Sequence, residues 1–200
     1  LHGCKGNGEE FVNEVMSIGR TSHVNIVNLY GFCLERSKRA LIYEYMPNGS
    51  LDRYIYCENP KEILGWQKLY TIAIGIARGL EYLHHSCNES KLSVTGARGT
   101  IGFIAPEVHS RTFGVVSTKS DVYSYGMMLL EMVGGRNDGL QACEVTSEVE
   151  EIARKMTLIG FWCIQVLPMH RPTITNVLEM FERGLDDLDM PPKQNFSQIQ

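Results

Sequence analysis

The 200-residue chain lacks any closely spaced pair of cysteines: Cys4, Cys33, Cys57, Cys87, Cys143 and Cys163 are scattered singly, with no C-x-x-C. A cysteine zinc site needs that close spacing, so none is expected and the cysteines read as reduced intracellular thiols. A dominant charge of one sign is also lacking. The formal net charge is −4, which gives no general pull toward nucleic acid or anionic membrane. There is no long apolar run either. The longest, Tyr125 to Val133, contains Glu131 and is far too short to span a bilayer, and no basic stretch followed by an apolar run opens the chain. This piece is expected to be soluble, or tethered by something outside it. Internal repeats are absent.

What is present suits one globular domain with a real core: 44% of residues are hydrophobic and 21% charged. After the flexible Gly6-Asn7-Gly8, the residues Phe11, Val15 and Ile18 keep the spacing of one apolar helix face. Two β-prone runs follow, 26–34 and 39–45, with the polar turn Glu35-Arg36-Ser37-Lys38 between them, which predicts a hairpin. Pro47-Asn48-Gly49 breaks the chain, and nearly everything periodic beyond it is helical. Leu69, Ile72, Ala73, Ile76, Leu80 and Leu83 predict a long helix over 66–86 with one buried stripe. Val122, Tyr125, Gly126, Leu129, Met132 and Val133 predict a second, buried on most sides and stopped by Gly134-Gly135. The capping box Ser147-x-x-Glu150 starts a third through Cys163, and Ile174, Val177, Leu178 and Phe181 mark a fourth.

Three phrases carry a specific resemblance. They are Ala105-Pro106-Glu107 preceded by Gly99-Thr100-Ile101-Gly102, then Ser120-Asp121-Val122-Tyr123-Ser124-Tyr125-Gly126, then His170-Arg171-Pro172. Their order resembles the C-terminal lobe of a serine/threonine protein kinase: the end of the activation segment, the central helix and the last helix. Upstream, Phe11 to Val15, His23 to Val27, Gly31-Phe32-Cys33 and Leu41 to Leu51 are similar to the second half of the same family's N-terminal lobe. The likeness covers residues 1–185 and, in the run Arg98 to Val108, is greatest to the cereal leaf-rust-resistance-locus receptor-like kinases.

The resemblance implies an α+β, two-lobed protein-kinase-like fold. Residues 1–46 would be a partial upper lobe of helix C, two strands and hinge, and 47–185 a helical lower lobe without the catalytic loop and the D-F-G segment. Residues 186–200, with Pro191-Pro192, would be a disordered tail. Tyr43 resembles the gatekeeper and Glu44, Tyr45 and Met46 the hinge whose backbone hydrogen-bonds adenine. Glu14 matches the helix-C glutamate, Asp121 the aspartate that braces the catalytic loop, and Glu107 with Arg171 the ion pair closing the lower lobe. Taken singly, Glu14 is a solvated charge on an amphipathic helix and Glu107 a turn residue; only the ordered set lifts them above that reading.

Phosphoryl transfer depends on positioning and on stabilising charge. The family uses a Gly-rich loop, a strand-three lysine, an H-R-D aspartate with a downstream asparagine, and a D-F-G aspartate for Mg²⁺. The chain has six aspartates, Asp52, Asp121, Asp138, Asp186, Asp187 and Asp189, and none precedes Phe-Gly. The residues two places after its histidines are Cys4, Asn25, Ser86, Cys87, Arg111 and Pro172, so no H-x-D exists. Between His85-Ser86 and Arg98 only Cys87 to Ala97 remain, roughly three dozen residues short of the family pattern. Leu1 falls just past the expected lysine, Gly3-x-x-Gly6-x-Gly8 is not the phosphate loop, Lys5 lies too close to helix C to substitute, and a third shortening is expected around 135–139.

ATP and Mg²⁺ are the family's cofactors; no productive binding of either, and no metal site, is expected here. The leading expectation is a catalytically inactive domain whose work is binding, a decoy for full-length kinases or their protein partners, with no nucleic acid and no membrane segment. The alternative is an active receptor-like Ser/Thr kinase of which this chain is an incomplete part. The chain as written would be cytoplasmic, and in the family this domain lies on the cytoplasmic side of the plasma membrane. Loss of the catalytic loop is also expected to uncover the central helix, Val122 to Val133, or to force a rearrangement that covers it.

Overall fold

The computed structural model describes residues 15, 19, 21–35, 38–55, 64–86, 102–134 and 147–192. Of the predicted first helix only Val15 falls among them, helical and buried; Phe11, Glu14 and Ile18 lie outside. The hairpin consists of antiparallel strands β1 (Leu29–Glu35) and β2 (Lys38–Tyr43), registered from Glu35 opposite Lys38 to Leu29 opposite Tyr43, with an irregularity at Tyr30. Its first strand starts later than predicted. The Ile26 N–H turns back to the His23 carbonyl at 3.0 Å and the Asn25 N–H to His23 Nδ1 at 3.1 Å, which removes the extended geometry a ladder needs.

A single turn, α1 (Asp52–Ile55), leads to α2 (Trp66–Ser86), whose bounds match the predicted helix. The short α3 (Pro106–His109) carries Pro106 in its first turn, where no N–H is needed. It precedes a 3-10 turn at Arg111–Phe113 and the central α4 (Thr118–Gly134). Helix α5 (Ser147–Cys163) begins at the predicted serine, and a 3-10 turn at Pro168–His170 follows it. Helix α6 (Ile174–Glu182) is capped by Thr173, whose hydroxyl accepts from the Asn176 N–H at 3.2 Å.

These helices close one core around Ala73, Tyr125, Leu129, Met132, Met156, Ile159 and Val177. Helices α2 and α4 meet at Tyr125, whose buried hydroxyl donates to the Ala73 carbonyl at 3.0 Å. Burial pushes that phenol well above its ordinary pKa, so it remains a donor. Helices α4 and α5 cross on two glycines. A Cβ on Gly126 would lie 2.5 Å from Cys163 Cβ, and one on Gly160 would lie 2.8 Å from Leu130 Cδ2.

Of the two outcomes expected for the central helix, uncovered or covered by other elements, the described residues show the second. Val122, Tyr125, Leu129 and Met132 are buried, and Met128 and Val133 pack partly against the core. The close glycine crossing lets α5 lie directly over one side of α4 while α2 covers another. The tail also departs from the expected disorder. Leu185–Asp187 form a 3-10 turn, Leu188 packs against the core, and Trp162 Nε1 donates to the Asp189 carbonyl at 2.8 Å. Those contacts satisfy an apolar side chain and an indole N–H, which composition alone does not register. Residues 193–200 lie outside the described part.

The loop before β1 joins the hairpin to the helices. Asn25 sits against Gly75 and Gly79 of α2, where a Cβ on Gly75 would meet Asn25 Nδ2 at 2.8 Å. His23 stacks on Tyr82 with ring centroids 5.1 Å apart, and the Ser22 N–H donates to the Tyr82 hydroxyl at 3.3 Å.

Candidate functional site

The stretch that resembles an adenine hinge leaves β2 at Tyr43, which faces Leu29 across the ladder and is half exposed. The next N–H, of Glu44, is taken by the Asn28 carbonyl at 2.8 Å, and the Glu44 carboxylate accepts from Asn28 Nδ2 at 2.9 Å. Asn28 thus ties the segment to the foot of β1 from both sides. Tyr45 is 83% exposed, and the Met46 carbonyl accepts from the Gly49 N–H at 3.1 Å, in a turn where Gly49 has φ 73°. A left-handed residue there is cheap only as glycine.

Glu107 and Arg171, 64 positions apart, meet in the helical base. Arg171 Nη1 donates to Glu107 Oε1 at 2.7 Å and Nη2 to Oε2 at 2.8 Å, with both side chains fully buried. The remaining N–H groups go to backbone carbonyls: Nε to Gln165 at 2.6 Å, Nη1 also to Lys119 at 2.9 Å, and Nη2 also to Val166 at 2.9 Å. All five guanidinium donors are used, the condition under which a buried arginine is tolerated. Ser120 adds a hydrogen bond to Glu107 Oε1 at 2.7 Å, and the Tyr123 ring lies 4.9 Å from the guanidinium carbon. Burial works to raise the Glu107 pKa, but the bonds from Arg171 and Ser120 outweigh it and hold the carboxyl below its ordinary value. Beside them Lys119 donates to the Arg171 carbonyl, and burial, then the Arg171 charge, lowers its pKa.

Asp121, in the first turn of α4, bonds His84 near the end of α2, Nε2 to Oδ2 at 2.9 Å, with the aspartate side chain 58% exposed. Nothing in the sequence marks His84 as its partner. The backbone of 87–101, toward which the family analogy directs Asp121, lies outside the described residues, as does Glu14. The structure therefore joins Glu107 to Arg171 and Asp121 to His84, and holds the hinge segment on Asn28. Among the described residues no three His, Cys, Asp or Glu side chains are grouped to hold a metal.

Sequence reasoning also missed Lys155, a buried lysine that donates to the carbonyls of Phe181, at 2.8 Å, and Arg183, closing the C-terminal end of α6. Tyr70 adds its hydroxyl to the same Phe181 carbonyl at 2.9 Å. The signal was legible: Lys155 falls three residues after Ile152 and four before Ile159, on the apolar stripe of α5. A cation there needs a built-in acceptor.

A sequence model of the family described as "Protein tyrosine and serine/threonine kinase" matches residues 3–91. Among curated relatives, the leaf rust 10 disease-resistance locus receptor-like protein kinase-like 2.5 of Arabidopsis thaliana is 42% identical over 263 residues, covering 100% of this chain and 39% of the relative. The 2.4 protein of that series is 43% identical over 256 residues, 96% of this chain and 41% of the relative. The PR5-like receptor kinase of the same plant is 42% identical over 252 residues, 94% and 38%. The chain thus spans about two-fifths of the length of these relatives. The alignment to the 2.5 protein is longer than the chain itself, 263 positions against 200 residues, so about sixty positions of that relative face no residue here.

Proposed function

From a chain that belongs to the protein kinase family, on its receptor-like branch, we propose a domain that binds partners of receptor-like kinases and does not itself transfer phosphoryl groups. One observation carries this reading: of six aspartates none precedes Phe-Gly and none lies two places after a histidine. The family binds ATP with Mg²⁺ and needs one such carboxylate as base and another for the metal. The aspartate nearest the central helix start, Asp121, is engaged with His84. Among the described residues no three acidic, imidazole or thiol side chains are grouped to hold a metal. The hinge segment 43–46 retains backbone groups for adenine alone, so nucleotide affinity is weak and indifferent to Mg²⁺. Like its receptor-like relatives, the domain would work on the cytoplasmic side of the plasma membrane; no described helix is long and apolar enough to cross one.

A second reading is favoured by the alignment lengths. The alignment holds 42% identity over 263 residues although about sixty of its positions have no counterpart here. An active ATP-dependent Ser/Thr kinase from the same gene, of which this chain is a shortened form, would give that pattern. One experiment decides between them. Residues 1–200 are expressed beside a version with the Gly-rich loop, strand-three lysine, catalytic loop and D-F-G segment all restored from a relative, and phosphate incorporation and Mg²⁺-dependent thermal shift with ATP are measured. The restored protein incorporates phosphate and the short chain does not. Incorporation by the purified short chain overturns the proposal, and sequencing the transcript identifies which form the gene makes.

A further inference from the structure

Beside the joint between hairpin and helices, α2 and α6 diverge around a cleft of about 610 Å³, within the range of binding pockets. Its apolar floor is made by Ile74, Tyr82, Leu178 and Phe181. Three carboxylates line it, Glu81 from α2 with Glu179 and Glu182 from α6, against one arginine, Arg78. Glu179 is answered by Arg183 at 3.6 Å. Glu81 and Glu182 have no hydrogen-bond or ion-pair partner among the described residues. His23 accepts the Asn25 N–H at Nδ1 and stacks on Tyr82, so this ring offers the cleft its edge and an Nε2–H. His85 and Thr175 complete the lining. The cleft therefore has a floor for one bulky apolar side chain and an excess of carboxylate at its walls.

We propose that this cleft between α2 and α6 docks a short basic peptide segment, one bulky apolar side chain entering the floor while flanking Lys or Arg residues meet Glu81 and Glu182. The inference deepens the reading of the chain as a binding domain and rests on it. The charge pattern selects the partner: an acidic segment would face the two unpaired carboxylates, Glu81 and Glu182, against the single Arg78, and a purely apolar one would leave those carboxylates desolvated and unpaired. The apolar anchor supplies area removed from water, and the basic flanks supply orientation and rate of encounter.

The test uses residues 1–200 and a fluorescein-labelled peptide of about twelve residues, a central leucine flanked on each side by lysines, followed by fluorescence anisotropy. Binding is expected in the micromolar range and weakens as salt rises toward about 0.3 M. Replacing the central leucine with serine, or the lysines with glutamates, abolishes it. Glu81→Lys with Glu182→Lys weakens it at least about tenfold. Glu182 is on the exposed face of α6 and Glu81 is only partly covered, so circular dichroism and melting should match the parent. Glu150→Lys, on the exposed side of α5, is the control and leaves binding unchanged. Absence of binding, equal binding of the acidic peptide, or binding insensitive to the double change overturns the proposal. So does a dimer in sedimentation that Glu182→Lys dissolves, since the occupant is then a second copy of the chain. Phosphate incorporation is followed in the same preparations. Loss of peptide binding without incorporation removes the docking cleft alone, and incorporation removes the inactive-domain reading whether or not the peptide binds.

Discussion

In the helical base Leu129, Met132, Met156 and Ile159 are fully buried, whereas in the hairpin Tyr30, Phe32, Leu34, Ile42 and Tyr43 are 37–69% exposed. Both regions are written in similarly apolar residues. The difference lies in how many layers each can offer. Four helices present one stripe each to a shared centre, so every stripe finds another. The two strands alternate, with Leu29, Phe32 and Leu34 on one face opposite Tyr43, Leu41 and Arg39, and Gly31 and Cys33 on the other opposite Ile42 and Ala40, Tyr30 sitting in the irregularity. A pair of strands cannot cover both of its own faces and is marginal alone. Stability should accordingly reside in the base, and the hairpin should contribute stickiness more than free energy of folding.

The sharpest way to break this contrast is at Arg171. Arg171→Ala strands Glu107 in a fully buried site and should cost about 3–5 kcal/mol in urea melts; a loss below about 1 kcal/mol would mean the base is not where stability resides. Glu107→Arg with Arg171→Glu should recover part of what either single change loses. Next comes the helix crossing. Gly126→Ala puts a methyl within 2.5 Å of Cys163 Cβ and should cost about 1–3 kcal/mol by overpacking. Cys163→Gly in the same chain should relieve part of that strain. Lys155→Met removes a charge-assisted cap from α6 and should cost about 1.5–3 kcal/mol, with exchange protection lost first at 181–183.

Acid sharpens the comparison without a mutation. Because the folded Glu107 carboxyl lies below its ordinary value of 4.5, its contribution is fully present above that pH and is lost as pH falls through the lower folded value. Glu107→Gln should flatten this part of the acid limb. The smallest effect is expected in the hairpin: Phe32→Thr with Ile42→Thr should change melting by only about 0.5 kcal/mol per site, yet raise the concentration at which the chain stays monodisperse in light scattering. A large loss of stability from these two would show that the hairpin is a structural layer after all.

The long elements were legible because periodicity accumulates. The six apolar residues from Leu69 to Leu83, spread over about four turns, predict α2, and the first serine of its capping box predicts the start of α5. Helix α4 begins at Thr118, four residues before the predicted apolar start, because its first turn, Thr118-Lys119-Ser120-Asp121, is polar. The single turns α1 and α3 hold four residues each, too few to express a 3.6-residue period. Of the site, the pairing of Glu107 with Arg171 came only from the ordered family phrases, since residues 64 apart share no local signal. Their backbone acceptors at Lys119, Gln165 and Val166 could not have been read, because every residue carries a carbonyl. The cleft between α2 and α6 depends on the angle at which two helices diverge, which side-chain spacing does not encode.

The five-donor arrangement of Arg171 has a consequence for the order of events in time. Its acceptors come from α3, from the start of α4 and from the link after α5, so the guanidinium gives up its water favourably only once three separate segments have arrived. Such a contact is expected to form after the rate-limiting barrier, so that weakening it should leave the folding rate nearly untouched while speeding unfolding. Arg171→Lys, which keeps the charge but offers three donors in place of five, should therefore shorten the lifetime of the folded chain far more than it delays its formation. On a chevron plot the unfolding arm should rise while the folding arm stays in place.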